Sequence, residues 1–97
     1  MGLLGALARQ TFVKGKALQL KRNYPDAWDL GVRIANQERD KATARGEYLY
    51  GDLIKVQQLH NEMIDALMLQ SHIEGRPMHE NVWQAVGWGF LHTLLPT

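Results

Sequence analysis

Four histidines, ten acidic residues and a single serine, Ser71, with no cysteine, are the side chains from which acid–base, nucleophilic or metal chemistry would have to be built. His60 is the most suggestive of them. It falls near the middle of an apolar helical face, where Leu53, Val56 and Met63 would surround it. A buried imidazole must find a hydrogen-bond partner and shifts toward its neutral form. In that setting it could serve as a ligand, a proton carrier or a pH switch. No second histidine or carboxylate lies three or four residues further on along the same face. His60 is therefore read as a buried polar residue satisfied by a backbone carbonyl or a partner group.

Glu62, Asp65 and His72 share the opposite face, with Glu74 and His79 beyond. A carboxylate-bridged metal site in a helical bundle needs Glu-x-x-His on inward faces and matching glutamates from other helices. Here the group faces outward and the second set is missing, so neither a metal nor a cofactor is expected. Nucleophilic chemistry fares no better. Ser71 lies at a polar helix end, and there is no Gly-x-Ser-x-Gly and no phosphate loop. Gly87-Trp88-Gly89 comes after no strand, and its glycines serve close packing. With no paired acid and base, the chain is not read as an enzyme.

Tyr24, Trp28, Tyr48 and Tyr50, taken with the basic residues, could stack the bases of a single strand. Asp26, Asp29 and Glu47 lie among them and oppose a phosphate backbone. These aromatics are better read as core or interface residues, and nucleic acid is not expected as a partner.

The elements that would carry these side chains are helical. Residues 47–74 read as one long amphipathic helix, with Leu49, Leu53, Val56, Met63 and Leu67 on one face. At 1.5 Å per residue it would span roughly 40 Å, more than a domain of 97 residues needs to cover its own core. Before it, Asn23-Tyr24-Pro25-Asp26 has the form of a helix start, with Asn23 as cap and Pro25 in the first turn. The stripe Ala27, Leu30, Gly31, Ile34 then gives way to Glu38, Lys41 and Arg45, leaving Ala35, Ala42 and Ala44 as the apolar residues of the second half. Gly46 as a left-handed helix end would turn the chain back. Gly75-Arg76-Pro77 ends the long helix in the same manner.

The fold class is accordingly all-α, in a single small helical domain over residues 1–97. A helical hairpin of about residues 24–45 and 47–74 is joined by a shorter C-terminal helix of about 81–95. Residues 1–22 form a basic, partly amphipathic N-terminal helix or arm. On the C-terminal helix Trp83, Val86, Phe90 and Leu94 share a face, while Trp88 and Leu95 point away from it.

The net charge of +1 demands neither nucleic acid nor an acidic substrate. No apolar run is long enough to span a membrane, no secretory signal is expected, and Ala6 breaks the myristoylation pattern. The first acid is Asp26, after Arg9, Lys14, Lys16, Lys21 and Arg22. An acid-free, basic, leucine-bearing start suits an organelle presequence or an arm on anionic lipid or phosphate.

Leu3, Leu4, Leu7, Trp28, Trp88 and Leu95 are the candidate partner-interface residues, because the chain carries more apolar surface than it can bury alone. The expected function is a small non-catalytic accessory or structural subunit of a larger assembly. Its partners would be other protein subunits, with contact to a membrane surface and a copy of itself as further options. It would sit at the mitochondrial inner membrane in a eukaryote and in the cytoplasm otherwise. One alternative is a self-standing helical regulator or inhibitor that binds another protein. A second is a nucleic-acid-associated protein using its basic arm.

Overall fold

A computed structural model describes residues 14–96. Leu3, Leu4 and Leu7 lie outside the described residues. The chain folds as four helices: α1 (Lys14–Asn23), α2 (Pro25–Ala44), α3 (Leu53–Ile73) and α4 (Glu80–Leu94). There is no strand among the described residues. The all-α class and the hairpin-plus-C-terminal-helix plan hold, with local differences that have clear causes.

Asn23 does not cap α2. It is the last residue of α1, and Tyr24 takes the N-cap position without a side-chain hydrogen bond. The residue before a proline is pushed out of the helical region, and Tyr24 sits at φ −132°, ψ 60°. The break is one residue wide: the Tyr24 amide donates to the Leu20 carbonyl at 2.8 Å, and the Trp28 amide donates to the Tyr24 carbonyl at 3.0 Å.

Gly46 ends α2 as its sequence position implies. With φ at +76°, its amide donates to Thr43 at 2.9 Å and the Glu47 amide donates to Ala42 at 2.8 Å. This pair of bonds closes the helix end around a left-handed residue. Gly75 repeats the arrangement at the end of α3, with φ +65°, Gly75 donating to His72 and Arg76 to Ser71. The Ser71 hydroxyl adds a bond to the Arg76 carbonyl. The lone serine is thus a helix-end fastener.

The long helix is shorter than its apolar pattern suggests. It begins at Leu53, not at residue 47, because Gly51 turns the chain at φ +79° and Asp52 is the N-cap. The Asp52 carboxylate accepts from the Lys55 amide at 3.1 Å, satisfying one of the open donors of the first turn. The connection is also tied to the far end of the chain, since the Gly51 amide donates to the Leu94 carbonyl at 2.8 Å. Leu49 reaches the core from this connection rather than from the helix. At 21 residues α3 is about 31 Å long.

The tightest packing in the molecule is between α2 and α4. Glycines make it so. A Cβ placed on Gly31 would lie 2.0 Å from the Val86 carbonyl oxygen, and one on Gly89 would lie 2.4 Å from the Trp28 carbonyl oxygen. Without side chains there, the two backbones meet directly. Helix α4 packs against each of the other three, whereas no Cα of α2 comes within 8 Å of one in α3. The two arms of the hairpin therefore share a core through side chains. Ala35 and Ala42 come from α2, Val56 and Met63 from α3, and Val86, Phe90 and Leu94 from α4. The polar second half of α2 still contributes its alanines, Ala35 and Ala42 but not the exposed Ala44. Ala17 and Leu20 pin α1 to this body. No helix among the described residues is long and apolar enough to cross a membrane.

Candidate functional site

Helices α3 and α4 diverge enough to leave an open apolar groove of about 310 Å³ between them. Its α3 wall is His60 and Ile64, one turn apart. Its α4 wall is Trp83, Gln84, Gly87, Trp88 and Leu91. Trp83 and Trp88 are five residues apart, so on a helix at 100° per residue they stand about 140° from each other. They form the two rims, and Gly87 and Leu91 form the floor between them. Both indoles are half-buried. No charged residue lines the groove.

His60 is placed by α3 against Gly87 of α4. A Cβ on Gly87 would lie 2.7 Å from its Nε2. Its Nδ1 lies 3.2 Å from the Asn61 side-chain oxygen, so an Nδ1–H tautomer donates there and leaves Nε2 toward Gly87. The ring also meets Phe90, centroid to centroid at 6.1 Å. Burial pushes the His60 imidazole below its ordinary value of 6.5, and the Asn61 hydrogen bond offsets part of that. The ring is half-buried at the groove wall with the Asn61 side chain as its partner, and Gly87 leaves room for it at the helix seam.

Behind the groove an aromatic series leads inward. Trp88 meets His92 at 6.0 Å, edge to face, and His92 meets Trp28 at 5.2 Å. The Lys21 ammonium lies 5.7 Å from the centre of the Trp28 ring, a cation–π distance.

Neither a family model, a curated protein nor a solved structure matches this chain. The role of the site is therefore read from its geometry.

That geometry sorts the interface candidates. Trp28 is 5% exposed and Leu95 2% exposed; both are corrected from interface to core. Trp28 turns inward because Gly89 lets α4 approach its backbone. Leu95 continues from the last helical turn into the core, its amide still donating to the Leu91 carbonyl at 2.9 Å. Trp88 stays accessible as a groove rim. Sequence reasoning misses Trp83, whose spacing puts it on the packed face, together with Gln84 and Ile64. The available signal is the pair of tryptophans flanking Gly87 and Leu91, facing a His60–Ile64 pair one turn apart.

Among the described residues there is no cluster of three metal-ligating side chains. His79 is used as the α4 cap, its ring nitrogen accepting from the Asn81 amide at 3.1 Å. What the groove can do is hold something apolar. Elsewhere on α3, Ile54, Leu69 and Ile73 are individually 69%, 61% and 73% exposed.

Proposed function

We propose that this chain is a small non-catalytic helical subunit that docks on another protein of a larger assembly through the α3–α4 groove. The observation that carries this reading is the groove itself. Two tryptophans stand at its rims and no charge lines it, which is the composition of an interface centre rather than of a solvated surface. An exposed apolar groove on a small domain marks a binding face. A place on the periphery of a membrane complex, mitochondrial in a eukaryote, is supported by the acid-free basic stretch up to Arg22.

A second reading, a self-standing helical binder that regulates or inhibits its target, is favoured by one specific observation. Val56, Val86, Phe90 and Leu94 are fully buried within the single chain, so a core exists without a partner.

Light scattering and circular dichroism over a dilution series separate the two. Under the subunit reading the isolated chain self-associates or melts broadly. A folded monomer with a sharp, concentration-independent melt would overturn the obligate-subunit reading and leave the self-standing binder.

A further inference from the structure

His60 is the one titratable side chain in the groove wall. Its burial favours a neutral ring, and the Asn61 hydrogen bond offsets part of that. On its own helix it meets Asn61 and Ile64, and Glu62 is turned to the other side of α3, beside Lys55 and Leu59. From α4 it faces Trp83, Gln84, Gly87, Trp88, Leu91 and the Phe90 ring. The titratable groups on that helix nearest to it are Glu80, whose carboxylate accepts from the groove-lining Gln84 at 3.4 Å, and His92, which lies between Trp28 and Trp88.

A second proton would sit on Nε2, aimed at the Gly87 backbone, where a Cβ would be only 2.7 Å away. A helical glycine presents its Cα hydrogens there, not an acceptor. An imidazolium donor left without an acceptor in an apolar site is costly. The charged ring would relieve this by rotating away from Gly87 toward the mouth of the groove. It would then occupy space that a guest needs and add charge to an uncharged lining.

We propose that His60 is an acid-operated latch on the groove: the groove accepts a neutral apolar side chain of a partner while the imidazole is uncharged, and rejects it when the imidazole is protonated. This rests on the docking role proposed above. The lowered proton affinity of His60 in its buried setting is in keeping with a ring that is neutral, and so admits a guest, at neutral pH.

The test uses the full chain and Nile red, an uncharged apolar dye, with energy transfer from tryptophan as the readout. Binding is measured at pH 7.5 and pH 5.0 for the unaltered chain, His60→Gln and Trp88→Ala, with helicity recorded on the same samples. The unaltered chain should bind at pH 7.5 and lose affinity at pH 5.0, in proportion to the molecules whose ring has taken up the second proton. His60→Gln should bind equally at both values, and Trp88→Ala should bind weakly at both. Equal binding by the unaltered chain at both pH values would overturn the latch and leave the docking role standing. An equal pH-dependent loss in His60→Gln, or a loss that tracks helicity, would also overturn it. No binding at either pH would overturn the docking role as well, because the groove would then take no apolar guest.

Discussion

Gly31 on α2 and Val86 on α4 meet backbone to backbone, so closely that a Cβ on Gly31 would lie 2.0 Å from the Val86 carbonyl oxygen. Only the helix itself can yield there. Gly31→Ala must therefore push α2 off α4 and should cost about 3 kcal/mol, the upper range for overpacking a core. Gly87→Ala meets only the end of the His60 side chain, which can rotate, and should cost about 1 kcal/mol, mostly by displacing the ring. Urea denaturation of the two variants measures the difference. Equal costs would contradict the backbone contact.

The two tryptophans of the inward aromatic series should behave oppositely. Trp28 is core, and Trp28→Ala should lose about 3–5 kcal/mol, enough to unfold a small domain. Trp88→Ala should keep its helicity, since the indole is a groove rim and its loss opens the groove further. Circular dichroism and thermal melts of both variants decide it. A collapse of helicity in Trp88→Ala would move Trp88 from the interface to the core.

Asp52 is the start signal of α3. Asp52→Ala removes the bond to the Lys55 amide and should cost about 1 kcal/mol, whereas Asp52→Asn should cost much less, because asparagine caps equally well. Hydrogen exchange of the first α3 turn gives the local readout. Unchanged exchange in the alanine variant would mean that the Gly51–Leu94 bond, not the carboxylate, fixes the helix start.

His60 gives the fold a pH dependence of defined sign. Its folded-state proton affinity is lowered by burial, so the unfolded chain binds the proton more tightly. The contribution to stability is therefore complete above the unfolded value of 6.5 and is lost as pH falls below it. The urea midpoint of the unaltered chain should fall between pH 7.5 and pH 5.0 by more than that of His60→Gln. The same fall in both would assign the effect to other groups.

Most of the element plan is legible in residues whose effect is local. Gly46, Gly75 and Pro77 act within one helix end, and the structure places those ends where the glycines stand. Pro25 likewise fixes the α1–α2 break, though not its cap. The start of α3 is harder, because Leu49 continues the 3.6-residue pattern while belonging to a connection. Periodicity counts apolar residues and cannot tell a helix from a buried loop. Gly51-Asp52 is the overriding signal.

The groove is less legible for a different reason. Whether Trp28, Trp83, Trp88 and Leu95 face inward depends on which helix lies beside each, and that is set by Gly31, Gly87 and Gly89. On a helical wheel Trp28 and Leu95 look stranded. Close glycine contacts enclose α4 on more than one side and bury them.

Docking of a partner in the α3–α4 groove is tested most directly by placing a photoreactive amino acid at Gln84, inside the groove, and irradiating the full chain in extracts of its native source at pH 7.5. One discrete crosslinked protein is expected, lost in a Trp88→Ala background whose helicity is unchanged. A probe at Gln84 that captures nothing, or captures the same protein with Trp88 removed, would contradict the docking role.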